Sequence, residues 1–246
     1  MRKLIVSALL SATLFAQGVV VRRRVVSSVG GSGSAPTYVH SGRTSTGGAN
    51  CVLTANVTAG QTLVVYGMTT TMGANVISVS DSNGNTYTPA MTSTDGSDGL
   101  TRNRVWTAPV GTTNASLSIT VHVTSTTNTA HCDYVQVSGT GVAVDKIVLG
   151  NLTAATSPIV TGSSGTTSQA NELLIAFYGI RVTGGFDVTP STGFAFGDES
   201  PTVSSTVALS MYRTVSATGN YAASSTVDTA ANVSGGVGII VALKAN

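Results

Sequence analysis

Residues 117–124 read Leu117-Ser118-Ile119-Thr120-Val121-His122-Val123-Thr124, four apolar side chains in strict alternation with four polar ones. A period of two is that of a β-strand, whose successive side chains point to opposite faces. The pattern predicts a half-buried strand with Leu117, Ile119, Val121 and Val123 turned inward and a hydroxyl-rich face turned to water. Similar alternation, broken at short intervals by turn residues, recurs from Tyr38 to the C-terminus, with no convincing helix-period segment after residue 18. The expected fold class is all-β with antiparallel sheets. Ile77, Val79 and Asp81 lead through Ser82-Asn83-Gly84-Asn85 into Thr86-Tyr87-Thr88, where Asn-Gly supplies the positive φ angles of a tight hairpin turn.

Composition agrees with such a fold. Of the 246 residues 41% are hydrophobic and 28 are glycine, and the mean hydropathy is +0.28. A chain of this kind buries apolar strands and joins them by turns, which low-hydrophobicity disorder does not do. Only 9% of residues are charged, against roughly 25% in ordinary soluble domains. That balance is unlike a typical cytosolic enzyme.

The N-terminus places Arg2 and Lys3 before a mostly apolar run at residues 4–15 and then Ala16-Gln17-Gly18. This order predicts a secretory leader, residues 1–18, cut near Gly18. An uncut anchor is the alternative, since Arg22, Arg23 and Arg24 follow the apolar run as a stop-transfer signal does. Removal of Arg2 and Lys3 leaves 10 basic against 10 acidic residues, a formally neutral chain. Nucleic acids are held largely by clustered Lys and Arg that release counterions, so no nucleic-acid partner is expected. The one basic cluster lies in residues 19–36, read as a flexible arm and linker because Gly30-Gly31-Ser32-Gly33-Ser34 follows it.

Export also frames the two cysteines, Cys51 and Cys132, which are 81 positions apart. An even count in an oxidising compartment makes a disulfide the expected state, with two reduced buried thiols as the alternative. Secretion or display at the cell surface is the expected localisation, with membrane contact only if the leader stays uncut.

The halves echo one another. Gln61-Thr62-Leu63-Val64-Val65-Tyr66-Gly67-Met68 is answered by Leu173-Leu174-Ile175-Ala176-Phe177-Tyr178-Gly179-Ile180, Val105-Trp106-Thr107-Ala108 by Met211-Tyr212-Arg213-Thr214, and Tyr134-Val135-Gln136-Val137 by Gly238-Ile239-Ile240-Val241. Three matches in one order predict a weak internal repeat, with one β-sandwich at residues 37–140 and another at 141–246. Each half has the strand complement of a two-sheet sandwich with Greek-key or jelly-roll connections. Each is expected to pack its own two sheets together and to leave hydroxyl-covered outer walls without a reactive pocket.

These stretches, with Val79-Ser80-Asp81-Ser82-Asn83-Gly84-Asn85-Thr86-Tyr87-Thr88, Ala170-Asn171-Glu172-Leu173-Leu174 and Arg213-Thr214-Val215-Ser216-Ala217-Thr218-Gly219-Asn220-Tyr221, resemble tandem Thr/Ser/Gly-rich β-sandwich segments of secreted, surface and phage-tail-like bacterial proteins. The resemblance covers roughly residues 37–244. It implies a display or adhesion module with no activity at any matching position.

Chemistry-bearing groups are sparse. There is no Gly-x-Ser-x-Gly elbow for a serine nucleophile, and His40, His122 and His131 are separated along the chain. Asp95 and Asp98 lie in one turn and Asp198 and Glu199 in another, while Glu172 opens a strand, so no carboxyl pair of a glycosidase is marked out. Asp81, Asn83 and Asn85 alternate like the first ligands of a calcium loop. Gly84 comes two places too early, however, and Thr92 stands where a bidentate Glu belongs, so hairpin chemistry accounts for them better. No zinc spacing occurs and no cofactor is implied. The remaining constellation is Arg102, Arg104 and Trp106, which share one face of an extended strand and offer an aromatic plane beside donors for a sugar or an anion. The alternative puts Trp106 in the core and the arginines at the strand end.

The leading expectation is an exported, non-enzymatic surface, adhesive or structural module. Its first rival is a carbohydrate-binding module using Arg102, Arg104 and Trp106 on a glycan or cell-surface polymer. The second is a self-assembling extracellular fibre or virion subunit, whose N-terminal arm adds residues 19–29 as a strand to a neighbouring copy.

Overall fold

The structure, a computed structural model, describes residues 34–47, 50–70, 76–91, 94–95, 101–124, 129–139, 141–198, 200, 202–203 and 206–246. The expected leader and residues 19–33 of the arm lie outside the described residues, as do Asp98 and Glu199. Among the described residues there is no α-helix, and hence none long and apolar enough to cross a membrane. The chain is all-β and antiparallel.

In the first half the strands are β1 (Thr37–Gly47), β2 (Asn50–Val57), β3 (Thr62–Thr69), β4 (Val76–Asp81), the short β5 (Thr88–Pro89) and β6 (Thr94–Asp95), β7 (Arg102–Pro109), β8 (Asn114–Val123) and β9 (Thr129–Ser138). The second half holds β10 (Ala143–Leu152), β11 (Ile159–Val160), β12 (Glu172–Val182), β13 (Phe186–Thr189), β14 (Thr202–Val203), β15 (Val207–Val215), β16 (Ser224–Val227) and β17 (Val233–Lys244).

Four sheets result. The first half makes β1-β9-β3-β7-β5, with β6 also on β7, and a smaller sheet β2-β8-β4; the second makes β10-β17-β12-β15 and β11-β16-β13-β14. Within the second half, strands first, last, third and sixth in chain order form one sheet, and second, seventh, fourth and fifth the other. This interleaving of two four-stranded sheets is a jelly roll. The first half repeats it strand for strand, except that β5 and β6 pair with β7. The sequence echo is thus matched in topology: β3 and β12 are equivalent, as are β7 with β15 and β9 with β17.

Side-chain facing follows the echo only in part. Tyr66 points into a cluster shared by the halves, whereas Tyr178 points into the interior of its own sandwich. Trp106 and Tyr212 are likewise reversed. A displacement by one residue sends a strand side chain to the other face, so the aromatic echo aligns the strands and misaligns the faces.

The β8 strand behaves as the alternation requires, with Leu117, Ile119, Val121 and Val123 buried and the residues between them half-exposed. They meet Leu53, Val65, Trp106 and Tyr134 in the core of the first sandwich. The disulfide Cys51–Cys132 crosses that core from β2 to β9. A second core fills the other sandwich, around Leu174, Tyr178, Phe186, Leu209 and Ile240.

The outer walls differ from expectation. The sheets of β3 and of β12 pack against each other through a third apolar cluster that includes Val64, Tyr66, Val135, Phe177, Ile239 and Val241. Tyr66 stacks on Phe177 with ring centroids 5.3 Å apart. All eight residues of β3 are buried, as are the first nine of β12. Continuous apolar runs such as Leu63-Val64-Val65-Tyr66 belong to strands covered on both faces. Among the described residues, only the sheets of β2 and β11 keep a wall toward solvent, and the four layers belong to one compact unit.

The hairpin expected after β4 also differs. The turn exists: the Gly84 N–H donates to the Asp81 carbonyl at 3.3 Å, and Gly84 has φ +72°. The chain then leaves the small sheet, because β5 pairs with β7 across the sandwich. The Asn-Gly signal specified the local turn, and burial of Tyr87 against the first core set where the next segment goes.

Candidate functional site

The described polar groups converge where β1 and β9 of the first sandwich meet β14, β15 and the segment before β14 in the second. Tyr38 on β1 stacks on Tyr212 of β15, centroids 4.1 Å apart and planes within 5°. Its hydroxyl donates to Asp198 Oδ2 at 2.9 Å and accepts the Asp198 N–H at 3.1 Å. The same carboxylate oxygen accepts the Ser41 N–H at 3.1 Å and pairs with His40 Nδ1. Burial alone would raise the Asp198 carboxyl, but the His40, Ser41 and Tyr38 hydrogen bonds hold it below the ordinary carboxylate range. Burial, with the neighbouring carboxylate, raises the Tyr38 phenol. Arg43 donates from Nη2 to the Ser200 carbonyl at 3.0 Å, and Ser210 on β15 donates to buried Asp133 on β9 at 3.2 Å.

Beside this seam runs a groove of about 290 Å³. Its polar wall comes from Arg43 and Ser45 on β1, His131 on β9, and Thr202 and Thr206 from the second sandwich, with Val203 and Val207 as an apolar strip. A second cavity of about 280 Å³ shares Ser45, His131 and Thr206 and adds the hydroxyls of Thr70 and Thr129. Ser45 and His131 are register partners in the β1–β9 ladder. His131 is 3% exposed, and burial lowers its pKa to about 4, so the ring is neutral at ordinary pH. Both ring nitrogens lack a hydrogen-bond partner.

The ligand-site residues singled out by sequence, Arg102, Arg104 and Trp106, lie elsewhere, whereas His40, Asp198 and His131, read there as separate groups, come together at the seam. Trp106 is 2% exposed inside the first core, its plane covered within the sandwich rather than open to a sugar. Arg104 places its guanidinium 5.1 Å from the Trp106 ring centroid, and Arg102 and Arg104 are half-buried on β7. This is the core arrangement weighed in the sequence.

Asp81 is likewise consumed by its own turn. One oxygen accepts the N–H groups of Asn83 at 3.0 Å and Asn85 at 3.1 Å; the other accepts Asn85 Nδ2 and the Tyr87 hydroxyl, each at 2.8 Å. Asn83 and Asn85 then tie down the turn before β8, through Thr112, Gly111 and Asn114. Among the described residues no cluster of three His, Cys, Asp or Glu is placed to hold a metal ion. His122, on the outer wall of β8, bonds Ser80 at 2.8 Å and Asn50 at 3.1 Å.

A second polar cluster closes one end of β12 and β17. Buried Glu172 faces Asp145, which binds the Ser168 hydroxyl and N–H and pairs with Lys244 at 3.1 Å. Burial and then the Asp145 charge raise Glu172 to about 7. Burial would raise Asp145 too, but Ser168 and Lys244 hold it low.

Sequence reading missed the seam because its residues come from strands more than 60 positions apart. One available signal was His131, a polar residue in an apolar strand beside Cys132. Comparison of the chain with protein-family models, curated proteins and solved structures finds no match.

Proposed function

We propose that the chain is an exported, non-catalytic tandem β-sandwich that serves as a surface, adhesive or structural module, in line with its resemblance to segments of secreted, surface and phage-tail-like proteins. The observation that carries this reading is the four-layer stack. Its inner sheets are spent on each other, so the molecule is a stiff block that meets its surroundings through two outer walls. One wall sets short hydroxyl side chains in register, Thr54 opposite Ser118 and Ser80 opposite Thr120. Such side chains both donate and accept hydrogen bonds and lose little rotamer freedom on contact, which suits adhesion to a hydrated polymer. The disulfide is consistent with an extracellular or otherwise oxidising compartment.

The test is retention under flow of beads carrying the purified chain on bacterial cell-envelope polysaccharide. Expected is retention that survives high salt, because the wall is uncharged, and that falls when Thr54, Ser80, Ser118 and Thr120 are replaced together by Lys. Beads that wash off as fast as albumin-coated ones would overturn it.

A further inference from the structure

The geometry points to the seam groove as a saccharide site, taking a neutral, hydroxyl-rich sugar segment that lies across both sandwiches. The two cavities are contiguous through Ser45, His131 and Thr206, and each is near the lower end of small-ligand pocket sizes, about 300 Å³. Their lining is chemically uneven in a way that matches a sugar. Hydroxyls of Ser45, Thr70, Thr129, Thr202 and Thr206 offer mixed donors and acceptors, as the ring hydroxyls of a saccharide do. Partly exposed Val207 supplies an apolar contact for the C–H face of a pyranose, backed by Val203, which is buried in the second core.

His131 is the independent observation. A neutral imidazole has one donor and one acceptor nitrogen, and here both are buried without a partner. Buried polar groups are nearly always satisfied, and an exception calls for its own account. The ring lines both cavities and stands opposite Ser45 in the ladder, where a sugar hydroxyl that reaches it completes the missing bond. The hydroxyls and the uncharged imidazole match a neutral ligand, and tetragalacturonate tests whether the Arg43 guanidinium, which gives Nη2 to the Ser200 carbonyl, draws an acidic one instead. The site lies away from the hydroxyl wall of the adhesive reading and does not depend on it.

The test titrates the full chain calorimetrically with cellotetraose, maltotetraose, chitotetraose, mannotetraose and xylotetraose, and with tetragalacturonate as the acidic counterpart. Expected is binding of at least one neutral tetramer, weakened about tenfold or more by Ser45→Val and by His131→Phe. Thermal melting confirms that each variant is folded, and Ser45→Val, at an exposed position, keeps the test alive if His131→Phe is not. No neutral binding, binding of tetragalacturonate alone, or neutral binding lost in Arg102→Ala but intact in Ser45→Val would each overturn the site. Beads retained on envelope polysaccharide without any tetramer bound would sink the groove and leave the adhesive reading standing. The reverse result would sink the adhesive reading alone.

Discussion

Glu172 opens β12 beside Asp145, and the two carboxyls compete for the same low-dielectric corner. Asp145 keeps its charge through Ser168 and Lys244, so Glu172 takes the proton and its pKa rises to about 7. A group raised in the folded state contributes stability that is complete below its unfolded value, near 4.5, and is lost as pH rises through about 7. Glu172→Gln keeps the shape without the charge. It is expected to flatten the stability profile between pH 5 and 8 and to raise stability at pH 8 by on the order of 2 kcal/mol, read from urea melts across that range. A profile as steep as the parent's would show that Glu172 ionises without cost. Nothing in Ala170-Asn171-Glu172 announced this: Glu172 read as the opening of a strand, and the carboxylate that adds to its burial is 27 positions upstream. Trp106 teaches the converse, since the alternation of β7 correctly put it on one face with Arg102 and Arg104, and only the opposing sheet made that face an interior.

Strands β3 and β12 share a feature that alternation alone does not expose. Both are apolar at nearly every position, and both lie in a middle layer, so each face must fit a different neighbour. Gly179 marks a close approach of the two inner sheets: a Cβ there would stand 2.0 Å from the Tyr66 hydroxyl and 2.6 Å from Met68 Sδ. Tyr66 has little room to yield, because its hydroxyl is held by Asn103 Oδ1 at 2.5 Å and its ring by Phe177. Gly179→Ala is therefore expected to destabilise by about 2 kcal/mol through overpacking. Gly111→Ala, whose Cβ would meet only Asn85 Oδ1 at 3.6 Å, should shift the midpoint by less than about 0.5 kcal/mol. Equal midpoints for the two variants in guanidinium titrations would mean that the two inner sheets can slide apart by the width of a methyl group without loss.

Across the entire chain, the shared cluster between the two inner sheets makes the sandwiches dependent on each other. A half produced alone, residues 34–139 or 141–246, would expose the apolar face formed by Val64, Tyr66 and Val135 or by Phe177, Ile239 and Val241. Exposed apolar patches of that kind drive association. Each half is expected to aggregate or dimerise and to bind a hydrophobic dye, while the intact chain unfolds in one transition by circular dichroism and tryptophan fluorescence alike. Two well-separated transitions, with soluble monomeric halves, would overturn the shared-core account.

Periodicity and turn chemistry specified the strands, because the two faces of a strand are encoded locally by every second residue. The order of the repeat likewise anticipated two equivalent sandwiches, and an even cysteine count, read with an expected leader, anticipated the bond between Cys51 and Cys132. What lay beyond local reading was which face meets which partner. Face assignment turns on a one-residue offset that leaves composition and pattern unchanged, so Tyr66 and Tyr178 look alike in the chain and point in opposite directions. The groove around His131 arises from the same cause: its walls belong to strands that become neighbours only when two apolar sheets, each covered on one side already, remove their second faces from water by closing on one another.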